Sequence, residues 1–192
     1  MPELSFQKKG HKYFLDGKEI PSVSELTRFL SREVYGEIDP IALERAAEKG
    51  TKIHEATEVL DRNGEVEVDT ELGGYIEAYM KFRKDHKINW LMLEGMMEFN
   101  ELYAGTLDRL GKVDGKLCIL DIKTNKTIGK QHKALYQAQL NLYRLACEQQ
   151  GVHPDTLYIL HLKQNGKYSL INIPFNTELA LACITLHYSL KK

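Results

Sequence analysis

Cysteine is scarce in this chain. There are three in 192 residues, at positions 118, 147 and 183. That odd number, at those spacings, fits neither a disulfide framework nor a zinc site, so Cys118, Cys147 and Cys183 read as inert thiols. Long apolar runs are missing too, since a stretch such as 117–120 is far too short to span a bilayer. The opening Met1-Pro2-Glu3-Leu4-Ser5-Phe6-Gln7-Lys8-Lys9 lacks the apolar segment that follows the basic start of a secretory signal. A cytoplasmic protein with no membrane contact is expected. Nor is there an excess of one charge: 26 Lys and Arg face 27 Asp and Glu, a net of -1. Any attraction to a polyanion must therefore be local. Between residues 109 and 133 seven bases meet two acids (net +5), whereas 44–77 holds ten acids and four bases (net -6). Internal repeats and low-complexity linkers are absent.

What remains is the composition of a soluble globular protein, 43% hydrophobic and 28% charged. The length suits one domain, 1–192, with a substantial core. Residues 1–35 read as an N-terminal hairpin and helix. The runs on either side of Asp16-Gly17 form the hairpin, and Ser22 with Glu25 is a capping box that predicts a helix over 23–30. Asp39-Pro40 opens a helical stretch to Arg62, with a break open at Gly50. Asp69 caps a further helix ending near His86. The texture then changes to strands at 90–99, 102–109 and 117–123, the last two joined at Asp114-Gly115. A long amphipathic helix over 130–149 places Ala134, Ala138, Leu142 and Ala146 on one face, with Gly151 closing it. Strands 156–163 and 167–173 flank Asn165-Gly166, and Asn176 caps the last helix. This order predicts an α/β fold, a central mixed β-sheet flanked by helices.

The chemistry concentrates in Gly105-Thr106-Leu107-Asp108 and, thirteen residues after that acid, Asp121-Ile122-Lys123-Thr124. Each group lies near the end of a predicted strand, with a hairpin between. Neighbouring antiparallel strands could bring the two carboxylates close together. Like charges held that close repel and are stable mainly around a divalent cation. Hard oxygen donors suit Mg²⁺ or Mn²⁺. Lys123, two residues beyond Asp121, emerges on the same strand face, where an ammonium could orient water and stabilise negative charge in a transition state.

Gly105-x-x-Asp108, Leu120-Asp121-Ile122-Lys123-Thr124 and Gln139-Leu140-Asn141-Leu142-Tyr143 resemble motifs of the RecB-like branch of the PD-(D/E)XK nuclease superfamily. So does the helix Gly50-x-x-x-His54-x-x-x-Glu58. These motifs stand in the family's order over a core of residues 50–143. The segment 11–24 is similar to the start of phage and prophage exonuclease-like members. The sequence departs from the superfamily pattern in two places: Gly105-Thr106-Leu107 replaces the proline segment before Asp108, and the second acid is Asp121 instead of the commoner Glu.

The resemblance implies a restriction-endonuclease-like core with Asp108, Asp121 and Lys123 as catalytic residues. Metal ligands would be Asp108, Asp121, the main-chain carbonyl of Ile122 and His54, with Glu58 a further candidate. Glu94 would organise the site, with Glu98 as its rival. Gln139 and Tyr143, one helical turn apart, would support it and touch DNA backbone, and Tyr136 extends their face. Lys126, Lys130 and Lys133 are candidates for phosphate contact. The implied activity is a Mg²⁺-dependent deoxyribonuclease, with Mn²⁺ able to substitute, acting as an exonuclease in phage-type recombination or DNA repair. A structure-specific endonuclease and a non-catalytic DNA-binding module of the same fold are the alternatives. The implied partners are DNA and a single-strand annealing or recombination protein, and an oligomer is compatible with this reading. An iron-sulfur cluster is not expected, because three cysteines do not bracket the core. No Gly-x-x-x-x-Gly-Lys-Ser/Thr loop is present for an attached helicase.

Overall fold

The computed structural model describes residues 3–67 and 69–190. Met1, Pro2, Val68, Lys191 and Lys192 lie outside the described residues, and with them the first two positions of the segment read above for a secretory signal. Strands β1 (Leu4–Gln7), β2 (Lys12–Leu15) and β3 (Lys18–Ile20) form a small antiparallel sheet. Asp16 and Gly17 join the last two with φ of 49° and 78°, the pair of positive values that a tight two-residue hairpin turn requires. Strand β1, not expected from the sequence, completes this sheet by pairing with β2.

Ser22 caps α1 (Val23–Leu26) through the complete reciprocal box with Glu25. The single helix expected over 23–30 is instead two, because α1 stops at Thr27 and α2 runs over Arg28–Tyr35. The Thr27 hydroxyl donates to the Val23 carbonyl at 3.0 Å, a side-chain bond that competes with the regular ladder. Asp39 caps Ala42 and opens α3 (Pro40–Asn63), which runs without a break through Gly50. A single mid-helix glycine costs only about 1 kcal/mol. Helix α4 (Thr70–Asp85) follows.

The main sheet contains β4 (Ile88–Phe99), β5 (Tyr103–Val113), β6 (Lys116–Lys123), β7 (Thr156–Leu162) and β8 (Tyr168–Ile173), in that spatial order. All neighbours are antiparallel except β6 and β7. That parallel pair needs a crossover, supplied by α5 (Lys130–Gln149). The chain closes with α6 (Thr177–Ser189), capped by Asn176. Two cores result. Helices α1, α5 and α6 pack with Ile119, Leu157 and Ile159. Helices α3 and α4 pack with Cys118, Leu120, Ile122 and Leu160, so alternate residues of the central strands feed opposite faces. Ala138, Leu142 and Ala146 of α5 are buried as its periodicity predicts, but Ala134 is exposed. All three cysteines are buried and unpaired. Among the described residues no helix is long and apolar enough to cross a membrane.

Candidate active site

The site forms where β5 and β6 part. Their ladder ends at the pair Arg109 and Leu120, so Asp108 and Asp121, the next residues on each strand, face a gap instead of continuing the hydrogen-bond pattern. Asp108 thus lies in the middle of the long β5, not near a strand end as its sequence context suggested. Backbone groups released by the parting must be satisfied elsewhere. The Ile122 N–H donates to Asp108 Oδ2 at 2.7 Å, and the Ile122 carbonyl lies 3.1 Å from His54 Nε2. His54, from α3, also holds its Nδ1 3.4 Å from Asp108 Oδ2 and 3.9 Å from Glu94 Oε1. Ligand atoms of His54, Glu94 and Asp108 all fall within 4.8 Å of one another.

Asp121 stands beside this trio. Lys123 Nζ lies 3.0 Å and 2.8 Å from the two oxygens of the Asp121 carboxylate. The ammonium also sits 5.0 Å from the centre of the Tyr136 ring, a cation–π contact that fixes its height above the site. The Tyr136 hydroxyl donates to Asn125 and lies 3.3 Å from the Tyr35 hydroxyl. The tip of α2 is thereby tied to the loop after β6.

The repulsion expected between two close carboxylates is countered by cations of the chain itself. Burial disfavours ionised Asp108, yet the His54 charge and hydrogen bond, with help from Lys123 and the Ile122 N–H, hold its pKa down at about 2. The same pairing overcomes burial and lifts His54 to about 9. Burial dominates at Asp121 and at Glu94, pushing them up to about 6 and about 7, with the Asp108 charge adding to both. A trio of two carboxylates and one imidazole, with a further acid alongside, is a mostly oxygen donor set that fits a divalent cation. Such a cation requires His54 neutral and the acids ionised, so its binding must expel protons. Its affinity is therefore expected to rise as the pH climbs from below 6 to about 9. Calorimetry in buffers of different ionisation enthalpy should report net proton release, and an affinity flat across that range would contradict the arrangement.

Three supports lie around this group, and of these the sequence marked only Gly105, as part of its motif. Arg109 is completely buried. Its guanidinium donates to Asp61 at 2.8 Å, to Glu94 at 3.0 Å and to Thr57 at 3.2 Å. Tyr79 donates to the same Asp61 oxygen at 2.5 Å. An unpaired charge could not be buried there, so this network links α3, α4 and β4 behind the His54–Glu94–Asp108 trio and aims Glu94 at it. Glu94 itself has φ of 48° inside a strand, a local strain of the kind that collects at functional sites. The only signal was a second charged residue directly after Asp108, between Leu107 and Leu110. The second support is Gly105. A β-carbon there would lie 2.8 Å from the Tyr143 ring and 3.0 Å from Val23, so glycine lets Tyr143 lie under the site. Tyr143 is buried, bonded to Gln139 and close enough to Asp108 and Asp121 to feel their charge, which makes it part of the floor of the site. The third is Tyr13 of β2, whose hydroxyl shares a 2.9 Å hydrogen bond with Thr106.

Other candidates lie apart. Glu58 is held by Arg62 at 2.7 Å. Glu98 bonds Gln149 and the Glu101 N–H near the β4–β5 turn, away from the trio that Glu94 joins. Lys126, Lys130 and Lys133 are exposed on the loop and first turn of α5 that follow Lys123.

No curated protein matches the chain. Solved structures do, at low identity. SSO0001 aligns over 89% of this chain and 76% of its own length, at 15% identity and a TM-score of 0.45. A phage-related exonuclease from Haemophilus somnus 129PT aligns over 88% and 90%, at 16% and 0.45. An alkaline exonuclease from Laribacter hongkongensis aligns over 73% and 76%, at 14% and 0.38. One family model matches residues 74–179, more than half of the chain, and it spans Glu94, Asp108, Asp121, Lys123, Gln139 and Tyr143. The chain belongs to the PD-(D/E)XK nuclease superfamily.

Proposed function

We propose that the protein is a Mg²⁺-dependent deoxyribonuclease of the RecB-like branch, an exonuclease of phage-type recombination or DNA repair acting in the cytoplasm. The observation that carries the reading is the joining of Asp108, Glu94 and His54 into one donor group, with Asp121 and Lys123 paired beside it. Asp108, Asp121, His54 and the Ile122 carbonyl would hold the ion, and Glu94 would close the group. A divalent cation held there supplies charge neutralisation at the phosphate and activation of the attacking water. Lys123 orients that water and counters the charge gained in the transition state. Asp121 keeps the ammonium in place, and Tyr136 limits where it can move. The site needs no covalent intermediate, since no nucleophilic side chain is required when water attacks in line. The exonuclease assignment rests on the motif resemblance, as does the annealing protein as partner.

The test is incubation of the purified protein with end-labelled linear DNA and with closed circular DNA, with and without Mg²⁺. Metal-dependent shortening of linear DNA alone is expected. Cutting of circles would make it an endonuclease, and no cutting with any divalent ion would leave a non-catalytic DNA-binding module.

Lys126, Lys130 and Lys133 give this reading a second check. Together they sit on the net-positive stretch that follows the catalytic strand. Changing all three to Ala is expected to weaken DNA binding and to flatten the dependence of log affinity on log salt by about 2–3 units, since each lost phosphate contact removes about 0.7–0.9. An unchanged slope would make them a solvated face.

A further inference from the structure

The β1–β2 hairpin carries features that the catalytic reading does not use. From Leu4 to Leu15 it contains Lys8, Lys9, Lys12 and His11 and no acid. At its turn end three aromatic rings cluster, with His11 edge-on 5.6 Å from Tyr13. Tyr13 is buried, Phe6 lies 4.8 Å from it, and His11 stands edge-on 5.0 Å from Phe6. Phe6 and Tyr13 are register partners on the face that packs toward β5, but Phe6 runs past the end of that core and remains 37% exposed. The turn holds Gly10 and His11 at φ of 84° and 52°, which folds the imidazole back toward the rings.

Location gives this cluster its meaning. Its inner member, Tyr13, bonds Thr106, two residues before Asp108. Its outer end neighbours α3, where Lys8 Nζ comes 4.0 Å from Glu55, the residue after His54. The aromatic cluster therefore lies between β5, through Tyr13 and Thr106, and a basic turn that reaches α3 beside His54. Lys8 and Lys9 are exposed, and the contact of Lys8 with Glu55, at the surface, contributes little.

We propose that this hairpin binds the substrate as single-stranded DNA, stacking an unpaired base on Phe6 and holding the adjoining phosphates with Lys8 and Lys9. Exposed aromatic faces beside lysines are the general means of gripping single strands, because every base offers a π-face and every nucleotide a phosphate. A paired base is already stacked on both sides inside a duplex and has no face to give Phe6. The proposal rests on the nuclease reading and adds to it the form in which the strand reaches the metal-binding trio.

The experiment measures binding of a fluorescent oligo-dT, and of a blunt hairpin duplex, with Ca²⁺ in place of Mg²⁺, for the whole protein and two variants. Phe6→Leu keeps apolar packing on Tyr13 and removes only the stacking ring. It is expected to weaken oligo-dT binding about 5- to 100-fold and to abolish quenching of a 2-aminopurine placed in the oligonucleotide, with duplex affinity unchanged. Lys8→Ala/Lys9→Ala should reduce the salt slope for oligo-dT by about 1.4. If Phe6→Leu retains both affinity and quenching, the proposal fails. Tighter binding of oligo-rU than of oligo-dT would overturn the DNA assignment. These results are separable from the nuclease reading, which falls only if the unaltered protein cuts no DNA with any divalent ion.

Discussion

Asp108→Asn is expected to abolish cleavage and to weaken divalent-cation binding by at least about 100-fold, while the protein stays folded. Asp108 Oδ2 is the point on which the site converges, within 3.4 Å of His54 Nδ1 and bonded to the Ile122 N–H. Outer partners that merely orient a ligand are worth about 10–100-fold in metal affinity, so loss of a charged ligand stands at or beyond the top of that range. Stability should move the other way from a simple picture of two crowded acids. If Asp108 and Asp121 only repelled each other, removing one charge would stabilise the metal-free protein. Instead Asp108 is held at about 2, below its ordinary 3.8. A carboxyl with a lowered folded-state pKa contributes stability above the ordinary carboxylate range and loses it as the pH falls toward the folded value. Asparagine keeps an acceptor for Ile122 but loses the ion pair with His54. At pH 7 the expected cost is about 1–2 kcal/mol, about 2–8 °C in Tm for a chain of this size. Calorimetric metal titration and thermal unfolding without metal measure the two effects. Wild-type metal affinity in the variant would remove Asp108 from the site, and a raised Tm would mean that repulsion dominates after all.

Turn and cap chemistry made most of the fold legible. Asp16-Gly17, Asp114-Gly115 and Asn165-Gly166 are local devices, each setting a hairpin whatever lies around it, and all three stand between the strands they were expected to join. Ser22, Asp39 and Asn176 each accept a backbone hydrogen bond at a helix start. Asp69 precedes α4 but makes no side-chain cap bond. What the sequence concealed depends on distant partners. Strand β1 exists because β2 offers it an edge, and its four residues alternate apolar and polar over too short a run to mark a strand by themselves. The interruption at Thr27 comes from one hydroxyl choosing a carbonyl, which no spacing rule reports.

The site divides in the same way. Asp108, Asp121 and Lys123 are recognisable because two strands and one hairpin fix their spacing. Choosing between Glu94 and Glu98 required the register of β4 against β5. That register places Glu98 opposite Ala104, near the turn, and sets Glu94 between the pairs Leu93–Arg109 and Gly95–Leu107. An irregularity between Trp90 and Met92 sets the phase of the strand, and nothing in the local sequence marks it. Arg109 was hidden for another reason. Two of its three side-chain partners, Asp61 and Thr57, lie on α3, remote in sequence, so its burial is legible only once α3 is packed against the sheet. Tyr13 was hidden because the packing of the small sheet on β5 is a tertiary event.

Lys123→Ala is expected to lower the rate of strand cleavage about 10²–10³-fold while changing DNA affinity little. The ammonium is held between the Asp121 carboxylate, at 2.8 Å, and the Tyr136 ring, and so is placed before substrate arrives. A single preorganised charge at the point where negative charge grows is worth about that factor in rate, and the lost orientation of the attacking water adds to it. Binding should survive because phosphate contacts come from other basic residues. The fold should survive as well. Asp121, already raised to about 6 beside Lys123, will take up a proton when that partner is gone, which spares the protein a buried unpaired charge. Proton uptake also predicts that metal affinity in the variant falls at pH 6 and recovers at higher pH. Lys123→Arg should restore little, since a planar guanidinium cannot fill the place of a compact ammonium wedged between a carboxylate and a ring. Single-turnover cleavage at saturating DNA and Mg²⁺ measures the chemical step, and binding of the same DNA in Ca²⁺ measures affinity apart from it. A wild-type rate in Lys123→Ala would take this residue out of the chemistry. A loss confined to DNA affinity would make it a phosphate contact.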